Sequence, residues 1–214
     1  MDRKIPENET LPDLPTEVWD DVEGLRRPTR QQAEACIRSL LAFIGENPGR
    51  EGLRDTPDRV LRTWEDFFGG YDADAEATLQ RTFEEVDGYD DMVLLKDVEF
   101  VSHCEHHMMP IYGKAHIAYQ PRKRVVGISK LARAVDIFAA RLQTQESLTA
   151  QIAGTIEDVL APIGLAALVE ASHQCMVTRG VKKANAMTIT AAFSGSFKTD
   201  EKLEQRFLRL VAAG

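Results

Sequence analysis

Along the first 27 residues apolar and polar positions follow no sustained period. Pro6, Pro12 and Pro15 stand among Asp and Glu, a composition with too little to bury, which predicts a mobile acidic arm over 1–27. Helical spacing sets in at Thr29, a capping residue. Ala33, Cys36, Ile37, Leu40, Leu41 and Ile44 then recur on one face until Gly45 and Pro48. As a member of that stripe, Cys36 is predicted to be core rather than a ligand. Asp55-Thr56-Pro57 offers a second cap with proline at the first helical position, followed by a stripe of Val60, Leu61, Trp64, Phe67 and Phe68 that stops at Gly69-Gly70. A single helical turn over 74–79 and a loop over 83–91 complete an N-terminal helical part, 28–91. The period then changes to two. Strands are predicted over 92–103 and 114–119, punctuated by Pro110 and Gly113 and paired antiparallel. Ser129 is the predicted cap of a helix running to Leu142, and a second helix spans Gln145–Leu160. Strands over 166–179 and 186–193 and an amphipathic helix over 198–211 end a second region, 92–214. Its order is strand, strand, helix, helix, strand, strand.

Composition narrows the class. With 214 residues, 43% hydrophobic and 28% charged, the chain can build one good core plus a helical appendage. A net charge of -8 argues against a nucleic-acid or membrane surface, so an anionic ligand needs a local basic cluster. Three cysteines, without an apolar leader or a long apolar span, predict a reducing cytoplasm with thiols free or on a metal.

The turn between the first two strands carries the densest chemistry: His103-Cys104-Glu105-His106-His107. Thiolate with neutral imidazole is a ligand set that zinc prefers. Cys104 and His107 are three apart, a spacing that lets both reach one ion. Downstream, Ala167, Val169, Ala171, His173, Cys175 and Val177 alternate, which predicts a strand with His173 and Cys175 on one face. Cys175 would complete a set of two sulfurs and one nitrogen, leaving water the fourth tetrahedral position, as in a catalytic rather than a structural zinc site. His103, His106 and His173 would stand near it as groups for proton transfer. A fourth protein ligand, for instance His103, would instead favour a noncatalytic nucleotide- or pterin-binding module with a structural, fully coordinated metal.

Lys130 and Arg133 open a helix, where free backbone N–H groups already concentrate positive potential. An anion such as a phosphate chain would offset them, with Arg179 and Arg59 as further cations, although a solvated basic face has the same pattern. There is no Gly-x-x-x-x-Gly-Lys, so this is not a P-loop. Gln145-Glu146 has two readings: an amide and a carboxylate facing a guanine-like edge, or ordinary charge at a helix start.

These fragments together resemble GTP cyclohydrolase I. The likeness is carried by Cys104-Glu105-His106-His107 with Pro110, Gly127-Ile128-Ser129-Lys130 with Arg133, Gln145-Glu146, and His173-Gln174-Cys175-Met176 with Arg179-Gly180. Weaker similarity runs over 29–210, including Asp55-Thr56-Pro57-Asp58-Arg59. The resemblance implies an α+β tunnelling fold assembled into a homodecamer, with active sites between subunits. It implies Zn2+ on Cys104, His107 and Cys175, proton handling by His106 and His173, and guanine held by Gln145 and Glu146. Lys130, Arg133, Arg179 and Arg59 would grip the triphosphate, with Ser129 near the ribose and phosphates. The implied reaction is the first step of tetrahydrofolate and pterin synthesis. Water adds at C8 of GTP, formate leaves, and the ribose carbons close a new ring to give 7,8-dihydroneopterin triphosphate. One departure stands out: Ala186-Met187-Thr188 occupies a place where the family usually has Ser-Lys-Thr.

Overall fold

A computed structural model describes residues 28–80, 82–83 and 89–213, so the expected acidic arm, 1–27, lies outside the described residues. The chain divides between Asp66 and Phe67 into two units. In the first unit, helix α1 (Arg30–Phe43) opens on a reciprocal cap: Thr29 Oγ1 accepts from the Gln32 N–H, and the Gln32 side chain accepts from the Thr29 N–H. It stops where Gly45 takes a positive φ of 87°. Helix α2 (Thr56–Phe67) carries Pro57 in its first turn. Arg30 ties the two together, donating to Asp58 at 2.7 Å and Glu65 at 2.6 Å; both pairs are solvent-exposed, so each contributes little.

The expectation for Cys36 fails, because its side chain is exposed. The covered line of α1 runs along Ala33, Ile37 and Leu41, spaced by four, and Ile37 alone is fully buried. Cys36, Leu40 and Phe43 form the adjacent row, about 100° around the helix, and face outward. A stripe six residues wide was broader than the surface available to cover it.

The second unit is built on a five-stranded, mostly antiparallel sheet. Strand β2 (Val93–Cys104) pairs with β3 (Pro110–Gln120), β3 with β6 (Gly164–His173), and β6 with β7 (Thr188–Gly195). A two-residue strand, β5 (Leu142–Gln143), runs parallel to the end of β2. A separate small ladder joins β1 (Thr82–Phe83) to β4 (Val125–Val126), so the expected loop over 83–91 begins with a strand. Helix α3 (Ala75–Leu79) starts on Asp74, which accepts from the Ala77 N–H at 2.9 Å.

Both faces of the central strands are covered, which is why β6 is buried along most of its length. On one face Ile111, Ala115, Ile117, Tyr119, Leu165, Ala167 and Val169 share a core with helices α4 (Ile128–Ala139) and α5 (Gln145–Leu160). On the other, Met92, Ala118, Ala166 and Leu168 pack with Phe197 and Phe207, from helical turn α7 (Ser196–Thr199) and helix α8 (Glu201–Ala212). Alternate residues of one strand therefore serve two cores, the pattern expected of a strand with helices on both sides. Gly113 lies where β2 and β6 close on β3: a Cβ there would sit 2.6 Å from the Glu170 carbonyl and from the Phe100 ring. No helix among the described residues is long and apolar enough to cross a membrane.

Several boundaries moved, each for a local reason. Ser129 does not cap α4. The cap is Gly127, whose carbonyl accepts from the Lys130 N–H at 2.7 Å, and Ser129 sits inside the first turn. The helix ends at Ala139 rather than Leu142, because the Ala140 carbonyl accepts from the Gly70 N–H and Leu142 leaves to join β2. The last helix is interrupted by Asp200, whose carboxylate accepts from the Lys202 and Leu203 N–H groups and starts α8 afresh.

The change that matters most for the site is at the end of β6. It stops at His173, and Cys175 lies in a helical turn, α6 (Gln174–Val177), not on a strand face. The partners run out there. Ile111 pairs with His173 as β3 begins, and β7 reaches no further than Ala171. Backbone groups beyond that point are satisfied locally, as when the Thr178 N–H donates to the Gln174 carbonyl at 3.0 Å.

Candidate metal centre

Sheet register explains why two distant cysteines meet. His103 pairs with Pro110 and Ile111 with His173, so the C-terminal ends of β2 and β6 flank the start of β3. Cys104 is the last residue of β2, and α6 turns Cys175 back toward it.

The loop between β2 and β3 is held tightly. The Cys104 carbonyl accepts from the Met108 N–H at 2.7 Å, the Cys104 N–H donates to the Met109 carbonyl at 2.9 Å, and the Glu105 N–H donates to the Gln143 carbonyl at 3.1 Å. Met108 takes a positive φ of 53° to close it. Gln143 drew no notice in the sequence. It is buried, and its side-chain amide donates to the Phe138 carbonyl and to Gln151, which fixes the short strand that supports the loop. Nothing in its residue type marks that role; only the parallel pairing of β5 with β2 does.

Cys104, His107 and Cys175 each bring one ligand atom within 4.8 Å of the others. Around a tetrahedral zinc, bond lengths near 2.3 Å for sulfur and 2.0 Å for nitrogen put neighbouring donors roughly 3.6–3.8 Å apart. Cys104 Sγ is already 3.9 Å from His107 Nδ1, so small side-chain rotations suffice. The donors fit in chemistry as well. Burial first, then the Cys104 sulfur, raise the pKa of Cys175, while Arg179 lowers it. Two thiol groups this close are hard to ionise together unless a cation lies between them, and a coordinated ion deprotonates its thiols.

Among the described residues the group has three members. His103 is not one of them: it is buried, with its ring 4.4 Å from that of Phe67 and 5.3 Å from that of Phe68, and burial lowers its pKa. It belongs to the packing beneath the loop. His106 stands at the rim, with Nδ1 3.7 Å from Cys104 Sγ and Nε2 3.7 Å from the Glu105 carboxylate.

At the end of β6, His173 Nε2 lies 2.8 Å from Gln145 Oε1. Burial lowers the pKa of His173, and the charge of Glu146 acts on it in the opposite sense. Thr144 caps α5 by accepting from the Ser147 N–H, which places Gln145 and Glu146 in its first turn. Gln145 points inward and is 2% exposed.

The remaining cation candidates are more scattered. Ser129, Lys130 and Arg133 lie on the opening turns of α4, whose first turn holds no acidic residue; Ser129 and Arg133 are exposed and Lys130 is half-buried. Arg179 is exposed just past α6. Arg59 belongs to the first unit, exposed and paired with Asp55 at 3.2 Å. A groove of about 570 Å³ opens on the sheet among Glu99, Phe100, Tyr112, Lys114, Glu170 and Met187, and none of the candidate site residues lines it.

Comparison with known proteins points one way. A family model described as GTP cyclohydrolase I matches residues 33–212. GTP cyclohydrolase 1 of Sinorhizobium fredii is 57% identical over 194 residues, covering 91% of this chain and 94% of that protein. GTP cyclohydrolase 1 of Brucella suis is 51% identical over 211 residues, 99% of each, and that of Maricaulis maris is 54% identical over 185 residues, covering 86% of this chain and 90% of that protein. Among solved structures, an archaeosine synthase QueF-Like in the apo form aligns at a TM-score of 0.41 and 19% identity, covering 49% of this chain and 94% of that one, a likeness too slight to bear on the fold.

Proposed function

The chain belongs to the GTP cyclohydrolase I family, and on that premise we propose that it opens the guanine ring of GTP by hydrolysis, releasing formate and forming 7,8-dihydroneopterin triphosphate. The observation that carries this reading is the three-donor group of Cys104, His107 and Cys175, with His106 3.7 Å from Cys104 and His173 at the end of β6, two residues before Cys175. Those three side chains would hold Zn2+. When bound, zinc supplies the Lewis acidity that makes water a competent nucleophile near neutral pH. His106, exposed at the rim, and His173, held from behind, would move protons to and from the imidazole ring of the purine.

Glu146 would accept from the N–H edge of guanine. Lys130, Arg133 and Arg179 would bind the triphosphate, with Arg59 joining them and Ser129 near the ribose, so that the unreactive end of the substrate orients the reactive one. The exposure of His106, Arg133 and Arg179 on a single chain supports a site completed by another subunit. On the family resemblance we further propose that the second region adopts the tunnelling fold and assembles as a homodecamer in the cytoplasm.

Incubating zinc-loaded protein with GTP tests the reading. Formate and, after oxidation, a fluorescent pterin should accumulate together; GTP recovered with its purine intact would end it. Arg133→Ala should raise the apparent KM for GTP by about 10-fold or more, the worth of one charge-assisted contact. Binding of guanosine, measured by calorimetry, should stay unchanged. Equal weakening of both ligands would place Arg133 away from the phosphates.

A further inference from the structure

Gln145 sits in a hydrogen-bond network whose direction can be worked out completely, because it ends on backbone carbonyls that only accept. Its Nε2 lies 3.0 Å from the Val169 carbonyl, 3.0 Å from the Thr188 carbonyl and 3.2 Å from Thr190 Oγ1. Turning the amide over would set its oxygen against two carbonyl oxygens, so the NH2 must face β6 and β7. The hydroxyls agree. Thr149 Oγ1 lies 2.9 Å from the Gln145 backbone carbonyl and gives its one proton there. Its 2.7 Å contact with Thr190 Oγ1 is then donated by Thr190, which leaves the Thr190 oxygen free to accept from Gln145. Gln145 Oε1 is thus forced to the other side, 2.8 Å from His173 Nε2. An amide oxygen cannot donate, so that ring nitrogen must carry the hydrogen.

We infer that Gln145 is a positioning residue that fixes His173 as the Nε2–H tautomer, which makes Nδ1 the nitrogen that takes the proton water loses as its oxygen bonds to C8 and passes that proton to N7 of the purine. The inference rests on the proton-transfer role proposed for His173 above. When Nδ1 takes the proton the ring becomes an imidazolium with both nitrogens protonated. Nε2–H stays on Gln145 Oε1 throughout, and that oxygen stabilises the added charge; passing the proton on restores the starting tautomer. Both amide hydrogens of Gln145 are engaged with β6 and β7, and the residue is 2% exposed. Guanine recognition in the Gln145-Glu146 pair therefore falls to Glu146.

Two measurements test this. In zinc-loaded full-length protein labelled with 15N-histidine, solid-state NMR at about pH 8.5, where an ordinary imidazole is neutral, should show His173 with a protonated Nε2 and a bare Nδ1. The signal is assigned by its loss in His173→Asn. A protonated Nδ1 with a bare Nε2 overturns the inference, even if the enzyme is fully active. Gln145→Leu should lower kcat on the order of 100-fold while moving KM for GTP by less than about 3-fold, and should leave His173 as a mixture of tautomers. A raised KM with unchanged kcat would make Gln145 a substrate contact and overturn it. If the leucine variant does not fold, the tautomer in the unaltered protein decides. Wild-type protein that releases no formate would remove the proposed reaction, whereas the tautomer measurement is independent of turnover.

Discussion

Cys175→Ala should abolish bound zinc and formate release together, with turnover falling by more than about 10³-fold and the far-ultraviolet circular dichroism unchanged. The reason is geometric. Cys175 lies in a four-residue helical turn past the end of β6, and Cys104 and His107 alone cannot close a three-point set around one ion. The side chain is half-buried beside Cys104, so losing its sulfur removes a ligand with little loss of core. Metal content by plasma emission and formate release should fall in step. A variant that keeps a full complement of zinc, or that turns over in chelated buffer, would remove Cys175 from the metal.

Phe207→Ala should cost about 3–5 kcal/mol of stability, the usual range for deleting a fully buried aromatic ring. Phe207 has no exposed surface and meets Phe193 and Phe197 edge to face, with centroids 6.1 Å apart in both cases. It is the main apolar anchor of α8 on the sheet face opposite α4 and α5. A shift of this size should lower the midpoint of thermal unfolding on the order of 10 °C, read by scanning calorimetry. A loss below about 1 kcal/mol would mean that α8 is dispensable to the sheet it covers.

Much of this was legible in the residues. The change of period from 3.6 to two between the N-terminal helices and β2 was plain, and so was the α5 span, since Thr144 caps it and the left-handed Ala161 with Pro162 ends it. The three candidate donors, which the structure brings within 4.8 Å of one another, could be picked out because thiol and imidazole in a short turn have few structural uses. What was not legible depended on partners. Alternation through Cys175 fits a strand equally well, and only the exhaustion of β3 at Pro110 and of β7 at Thr188 says otherwise. Cys36 has the spacing of a core residue, but burial depends on whether another surface arrives. Gln145 gave two readings at a helix start, neither of them the role inferred here, because its three acceptors come from Val169, Thr188 and Thr190, far along the chain.

The two sulfurs approach from either side of a strand that belongs to neither of them. Cys104 and Cys175 can come together only once β3 has taken its place between β2 and β6, a closure that spans a long stretch of chain and is slow by its topology. A metal bound by these donors would therefore be captured late, after the sheet is finished rather than as a seed for it. Once seated, the ion would act as a rivet across that seam, adding to the stability of the assembled form in proportion to how tightly it is held.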